Sequence, residues 1–312
     1  MKYSYVIVAD SCCDLSPELM ARFEVDGCLK GSYSSPTQDE VVARLDLTEA
    51  ELDAFYSSLK ANKNGYKTAA ISPQETIVYF ENFLQQGKDI LALSMSGKLS
   101  AIYNVMVYAK NILCEKYPER KIFIVDSMKY SMGLGLLTIK ACGLRAEGCK
   151  IEQNAEKLEK LKRTVHQMGP VDDLFWVASK GRISHAKAIF GTIAGIKPLG
   201  DFDSDGMVTP LTKVSGYEKA FKTTVEYIKK TITSANEQII FVAHSARRKQ
   251  AEKLAKLIEE NIKSKEVIVC NIYPISGINV GPGLIAAFYF GTEITDLKRE
   301  KEIILEIVAN KL

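Results

Sequence analysis

In the first half of the chain, short apolar runs alternate with stretches whose apolar residues recur at helical spacing. The runs at residues 5–9, 67–71, 90–93 and 121–125 predict strands, and the stretches between them predict helices. Strands that alternate with helices are typical of a parallel sheet. We therefore expect an α/β fold in this half, with a parallel sheet flanked by helices.

The second half adds a pattern that indicates antiparallel strands. The apolar runs at residues 196–199 and 207–211 flank Asp203-Ser204-Asp205-Gly206, a sequence typical of a hairpin turn. Two strand–helix units follow, with strands at residues 239–243 and 267–271. This half is therefore predicted to be a mixed α/β domain.

Other segments of the second half have less regular patterns. From these we predict a charged helix over residues 151–168, a strand at 174–178, a helix of small residues that ends at Gly195, a glycine-rich loop over 274–283 and an amphipathic helix over 292–312.

The alternation is interrupted at Gly148-Cys149-Lys150. A chain of 312 residues is long enough for two domains of ordinary size, each with its own core. We therefore expect an N-terminal α/β domain over residues 1–149 and a C-terminal α/β domain with an extra C-terminal helix over residues 150–312.

Composition narrows the class of protein. With 46% hydrophobic and 25% charged residues, the chain has the balance of a soluble globular protein. A net charge of +3 is too small to indicate a nucleic-acid partner, so we expect none, and at most transient contact with a membrane surface. No apolar run is long enough to span a bilayer, and no signal-peptide pattern opens the chain, so we expect a cytoplasmic protein. The three histidines and seven cysteines lack the spacing of a metal site, and none is predicted.

The turn after the predicted strand at residues 90–93 collects small polar residues. Ser94-Met95-Ser96-Gly97 precedes a helical pattern that begins at about Ser100. The free N–H groups of a helix start and three serine hydroxyls form a suitable site for a carboxylate or a phosphate. A single serine that caps the helix explains the same residues equally well.

Each predicted strand of the first half is followed by polar residues. These are Asp10-Ser11, Thr68, Ser94-Met95-Ser96 and Asp126-Ser127. Because the carboxyl ends of parallel strands share one edge of a sheet, we expect these residues to converge on one crevice. For Asp10 and Asp14 themselves we expect the commoner role of hydrogen bonding to the turn backbone.

Seven short motifs follow one another from the first strand to about Gly291. They are Asp10-Ser11 with Asp14-Leu15, Lys67-Thr68 with Ser72-Pro73, Ser94-Met95-Ser96-Gly97, Val125-Asp126-Ser127 with Gly133 and Gly135, Gly181-Arg182-Ile183-Ser184, Lys197-Pro198, and Gly281-Pro282-Gly283. In this order the chain resembles the DegV family, bacterial fatty-acid-binding proteins that present a bound acyl chain to a fatty acid kinase. No single motif is specific, and the resemblance rests on all seven occurring in register.

The resemblance implies a carrier without catalytic activity and without a cofactor. It implies two α/β domains and a long-chain fatty acid of C14–C18 buried mainly in one of them. The carboxylate would be held near the domain interface, and a fatty acid kinase subunit would be the partner. Thr68 and Ser96 match the family's hydroxyl donors to the carboxylate, and Arg182 matches the arginine of its Gly-Gly-Arg motif. The candidate ligand-binding residues are Thr68, Ser94, Ser96, Gly97, Arg182, Asn279, Gly281 and Gly283.

Three departures mark a divergent member. Where the family has His-Thr-Gly-Pro-Gly, this chain has Asn279-Val280-Gly281-Pro282-Gly283, so a titratable ring is replaced by an amide that still donates a hydrogen bond. Thr-Ser-Gln-Pro-Ser becomes Thr68-Ala69-Ala70-Ile71-Ser72, and Lys180 replaces the first glycine of Gly-Gly-Arg. Because asparagine does not titrate, the resemblance implies an affinity that changes little between about pH 6 and 8, provided that His244 does not take over the role.

The alternative is a doubly wound α/β enzyme that uses the turn at Ser94 and Ser96. A serine hydrolase normally has a Gly-x-Ser-x-Gly elbow, and a phosphoryl-transfer enzyme normally has a Gly-x-x-x-x-Gly-Lys-Ser/Thr loop. The chain has neither motif. A regulatory or purely structural protein with an empty cleft is a third possibility.

Overall fold

A four-stranded parallel sheet forms the centre of the first of two compact units, which comprises Met1–Leu47 and Asn64–Lys162. The computed structural model describes residues 2–183 and 195–309. Strands of the unit are β1 (Tyr5–Asp10), β2 (Gly27–Leu29), β3 (Ser32–Ser35), β4 (Gln38–Val42), β5 (Lys67–Ala69), β6 (Asp89–Ser94) and β7 (Ile122–Asp126). Its helices are α1 (Pro17–Arg22), α3 (Pro73–Gln85), α4 (Ile102–Lys116), α5 (Met132–Ala146) and α6 (Ile151–Leu161).

The parallel sheet has the strand order β2-β1-β6-β7. The alternating pattern predicts β1, β6 and β7 of this sheet but not β2. Helices α3 and α4 cover apolar residues of β1 and β6, and they share one core with them. Helix α3 begins where its sequence indicates. Ser72 accepts a hydrogen bond from the Glu75 N–H, the Glu75 carboxylate accepts one from the Ser72 N–H, and Pro73 occupies the first turn.

Strand β5 does not join the parallel sheet. It pairs with β3 in a three-stranded antiparallel sheet of order β4-β3-β5, with Thr68 opposite Tyr33. The expectation that Thr68 lies at the end of a strand of the parallel sheet is therefore wrong. A run of three to five residues carries no information about which strand it will pair with, because that depends on residues far away in sequence.

The second unit comprises Thr48–Lys63 and Arg163–Leu312, and its centre is a mixed sheet of order β12-β11-β13-β8. Its strands are β8 (Val165–Met168), β9 (Ile196–Phe202), β10 (Val208–Ser215), β11 (Ile239–His244), β12 (Glu266–Asn271) and β13 (Ile285–Phe290). Its helices are α2 (Glu49–Ala61), α7 (Leu174–Ser179), α8 (Gly216–Thr231), α9 (Arg248–Asn261), α10 (Pro274–Val280) and α11 (Lys298–Ala309). Strands β9 and β10 form the predicted antiparallel hairpin.

Three predicted elements differ in the structure. The segment predicted as a strand at 174–178 is helix α7, because the Asp173 side chain accepts the Trp176 N–H and starts a helix. The segment predicted as a helix to residue 168 ends at Leu161, and β8 follows. Helix α10 occupies most of the segment predicted as a glycine-rich loop. Short apolar runs fit a helix or a strand equally well, so tertiary packing decides between them.

The two compact units divide the chain differently from the boundary placed after Cys149. Helix α6 belongs to the first unit, where it packs on α5 and β7. Helix α2, far earlier in the chain, belongs to the second unit, where the Tyr56 hydroxyl donates a hydrogen bond to the Ile272 carbonyl at 2.6 Å. Of the helix predicted to end at Gly195, residues 184–194 lie outside the described residues.

A buried polar network holds the second unit together around Asp201. Its carboxylate lies 2.5 Å from His166 Nδ1 and accepts the Tyr227 hydroxyl at 2.9 Å. It also accepts the N–H groups of Gln167 at 2.8 Å and Phe202 at 2.7 Å. The Asp201 and His166 side chains are completely buried. The network therefore ties β8, β9 and α8 through one carboxylate.

Among the described helices, none has the length and apolar character that crossing a bilayer requires.

Candidate functional site

Ser94, at the end of β6, and Ser96, in the turn that follows, are buried. Ser94 is completely buried, and its hydroxyl has no hydrogen-bond partner among the described residues. Ser96 is 1% exposed, its N–H donates to the Lys129 carbonyl at 2.8 Å, and its hydroxyl accepts the Lys98 N–H at 3.3 Å. A buried hydroxyl without an acceptor is costly, which makes this turn a candidate to donate to an acceptor on a ligand.

The turn is held against the neighbouring strand by Gly97. Its N–H donates to Asp126 Oδ2 at 3.2 Å, and a Cβ at this position would lie 3.0 Å from the same oxygen. The glycine therefore allows the turn to approach the end of β7 closely.

None of the serines caps helix α4 in the usual way. The N-cap residue is Ala101, which makes no side-chain cap bond, and the Ser100 hydroxyl accepts the Ile102 N–H at 3.3 Å. Among the described residues, no base forms a hydrogen bond with the Ser94 hydroxyl.

Asp10 lies at the same edge of the sheet as Ser94 and Asp126. In the register of the sheet, Ala9 lies opposite Leu93, and Ser94 lies opposite Asp126. Asp10 is 3% exposed, and its oxygens accept the N–H groups of Cys12 at 2.8 Å and Met95 at 2.6 Å. The expected hydrogen bonding of Asp10 to backbone is therefore present.

A cleft with a volume of about 40 Å³ opens at this edge. Thr68 lines it together with Asp10, Ser11, Met95 and Ser100, so the threonine reaches the crevice although its strand belongs to another sheet. Ser94 and Ser96, next to the lining residue Met95 in sequence, are not among the residues that line it. This volume is on the order of three water molecules or one carboxylate group, far smaller than an acyl chain.

The remaining candidates lie in the second unit. Gly281 and Gly283 have φ angles of +76° and +106°, which favour glycine. The Ser245 hydroxyl donates to the Gly281 carbonyl at 2.7 Å, and the Gly283 N–H donates to the Ser245 carbonyl at 2.8 Å. Both glycines are thus fixed to the end of β11. Asn279 lies within α10, and its amide donates to the Ile275 carbonyl at 2.9 Å.

Arg182 follows α7 and is partly buried. Its guanidinium donates to the Lys180 carbonyl, and its N–H donates to the Val177 carbonyl at 3.3 Å. Ser184, the last residue of the motif that contains this arginine, lies outside the described residues.

The sequence did not single out Asp172, which supports the loop at Gly283. Its carboxylate accepts from Lys197 at 2.5 Å, from Tyr217 at 2.7 Å and from Arg247 at 2.7 Å. A Cβ on Gly283 would lie 2.4 Å from Asp172 Oδ2. No local pattern marks this residue, because its partners lie up to 75 positions away.

We predict that Gly281→Ala destabilises the second unit strongly. A Cβ at this position would lie 2.6 Å from the Trp176 ring, in addition to the unfavourable φ. We expect a loss of roughly 2–4 kcal/mol, from strained backbone and overpacking together. Gly87→Ala is the matched control, since its φ is +75° and nothing lies within 4 Å of the added methyl. Equal losses of unfolding free energy in denaturant would contradict the predicted clash.

Comparison with known proteins identifies the family. A family model described as an uncharacterised protein of the DegV family matches residues 4–292. The chain belongs to the DegV family. A DegV domain-containing protein of Clostridium perfringens is 30% identical over 287 residues, which cover 92% of this chain and 97% of the relative. The family resemblance seen in the seven motifs is confirmed.

Solved structures of DegV proteins share the fold. A DegV lipid-binding protein from Thermotoga maritima has a TM-score of 0.80 at 18% identity, covering 94% of this chain and 100% of that one. A DegV protein from Ruminococcus gnavus, refined with vaccenic acid, has a TM-score of 0.81 at 22% identity, covering 92% and 100%. The fatty acid kinase B3 protein of Streptococcus pneumoniae, loaded with linoleic acid, has a TM-score of 0.78 at 20% identity, covering 92% and 99%. The predicted α/β fold class is confirmed.

Proposed function

We propose that this protein binds a long-chain fatty acid, without a cofactor, and presents it to a fatty acid kinase subunit in the cytoplasm. The observation that carries the proposal is the set of polar groups at the carboxyl edge of the parallel sheet. There the buried Ser94 hydroxyl has no partner among the described residues, and Thr68 lines a cleft of carboxylate size. The fatty acids in the solved DegV structures support the same class of ligand.

In this proposal Ser96 and Thr68 donate hydrogen bonds to the carboxylate. The Ser96 oxygen already accepts the Lys98 N–H, so its own proton is left for an acceptor on the ligand. Ser94 is the last residue of β6 and directly precedes the turn. Its hydroxyl has no partner among the described residues, and it would gain one if the turn moved when the ligand binds. Gly97 keeps the backbone of the turn close to β7, which positions both serines.

The acyl chain must extend beyond this cleft, because a volume of about 40 Å³ accommodates only the head group of the ligand. We assign the chain to an apolar pocket beyond it. Presentation to a kinase is supported by the likeness to the fatty acid kinase B3 protein and by the family resemblance. Arg182, Asn279, Gly281 and Gly283 complete the proposed binding residues.

Native mass spectrometry of the purified protein tests the ligand class. We expect a co-purifying C14–C18 fatty acid that is released on denaturation. A bound nucleotide in its place would overturn the proposal and favour a phosphoryl-transfer enzyme. Phosphorylation of the bound acid by a fatty acid kinase subunit with ATP, measured as acyl phosphate, tests presentation.

We predict that Ser96→Ala weakens fatty acid binding without unfolding the protein. A hydrogen bond to a charged group contributes roughly 1.5–3 kcal/mol, so the dissociation constant should rise about tenfold or more. Calorimetric titration with palmitate measures the change. Ser4→Ala, an exposed serine before β1, should leave affinity unchanged. An unchanged affinity in folded Ser96→Ala would show that Ser96 does not contact the carboxylate.

A further inference from the structure

The cleft proposed for the carboxylate contains a buried acid and no basic side chain. Asp10 lines it, whereas none of the described residues that line it is lysine, arginine or histidine. An ionised fatty acid entering this space would meet a second carboxylate at short range. Two carboxylates in a shared, poorly solvated site repel each other, and such pairs normally hold one proton between them.

We propose that the protein binds its fatty acid together with one proton, and that Asp10 carries this proton as a hydrogen-bond donor to the ligand carboxylate. The inference rests on the proposed function and deepens it. Asp10 Oδ1 accepts the Cys12 N–H and Oδ2 accepts the Met95 N–H, and the Cys12 thiol also forms a hydrogen bond with the carboxylate. The two oxygens together have four lone-pair positions, so one is left for the proton.

The surroundings of Asp10 support this assignment. Burial raises the pKa of the Asp10 carboxyl to about 6, although the N–H groups of Met95 and Cys12 oppose the change. The thiols of Cys12 and Cys28 respond to the charge of Asp10, and the buried Asp14 carboxyl of the same turn acts on Cys12. Burial raises the pKa of Cys12 well above its ordinary value, and contact with Cys13 together with burial does so for Cys28. Both thiols therefore stay protonated between pH 6 and 8.

The sign of the pH dependence follows from this arrangement. If only the protonated form binds, affinity is highest below about pH 6 and falls as Asp10 loses its proton. With a pKa of about 6, the dissociation constant should be about fifty-fold larger at pH 8 than at pH 6. This pH dependence differs from the nearly constant affinity between about pH 6 and 8 that is expected when Asn279 alone is considered. His244 does not produce the effect, because burial lowers its pKa to about 4 and it is neutral over this range.

Calorimetric titration with laurate tests the proposal, because laurate is soluble as a monomer and is ionised from pH 6 to 8. Wild type should bind about fifty-fold more weakly at pH 8 than at pH 6. At pH 7 it should take up about 0.9 proton per ligand, measured as the difference in heat between phosphate and Tris buffers. Asp10→Asn should bind with nearly the same affinity at both pH values. Asp39→Asn, an exposed aspartate in β4, should keep the wild-type profile.

The outcomes separate the two proposals. Binding that is independent of pH and takes up no proton in wild type would overturn the role of Asp10 alone. Failure of wild type to bind laurate and palmitate at any pH would overturn the proposed function and the role of Asp10 with it. Proton uptake is measured on wild type, so the test stands even if Asp10→Asn does not fold.

Discussion

Octanoate should bind this protein roughly four to five orders of magnitude more weakly than palmitate. The two acids have the same carboxylate and differ by eight methylene groups, each contributing about 0.8 kcal/mol when buried, or about 6 kcal/mol in all. The small cleft at Asp10 and Thr68 accommodates only the head group, so the chain must supply most of the affinity. The cleft alone would not discriminate between the two acids.

Displacement of a bound fluorescent fatty acid by acids of 8 to 16 carbons measures this series. We expect the logarithm of affinity to rise steadily with chain length until the pocket is filled. Octanol and hexadecanol are matched controls that keep the chain and remove the carboxylate, and they separate the contributions of chain and head group. Octanoate binding as tightly as palmitate would show that there is no long apolar pocket.

Asp201→Ala should be the most destabilising single change proposed here. It removes the acceptor of His166, Tyr227 and two backbone N–H groups from a completely buried position. Removing one partner of a buried charged network typically costs about 3–5 kcal/mol, because the other partners remain buried without an acceptor. Burial and the neighbouring Asp201 also raise the pKa of Tyr227, so Tyr227 remains protonated and needs an acceptor.

Denaturant unfolding monitored by the fluorescence of Trp176, which lies in the same unit, measures the loss. Asp205→Ala is the control, since Asp205 is exposed in the turn of the hairpin that contains Asp201, and its change should stay within about 0.5 kcal/mol. Similar unfolding free energies for the two variants would show that the network contributes little to stability. Fatty acid binding by the folded fraction should be retained, because Asp201 is not one of the proposed binding residues and does not line the carboxylate cleft.

The sequence by itself determined the features that local residues encode. The parallel sheet follows from short apolar runs that alternate with segments whose apolar residues recur at helical spacing. Each of these patterns is visible within its own segment. The start of α3 follows from Ser72-Pro73 with Glu75, because a capping box closes over four residues. The hairpin at Asp203-Ser204-Asp205-Gly206 follows from its turn residues. The order of seven motifs also identified the family.

Only the tertiary structure decided the features that depend on distant partners. Residues 174–178 form a helix, and Thr68 pairs with Tyr33 outside the parallel sheet, because packing and strand pairing choose among local conformations of similar energy. The environment of Asp10 depends on the Met95 N–H, 85 positions away, and on burial, neither of which any local pattern records. The turn residues alone indicated an ordinary backbone acceptor, and the fold turns the same carboxyl into a buried acid whose charge changes near neutral pH.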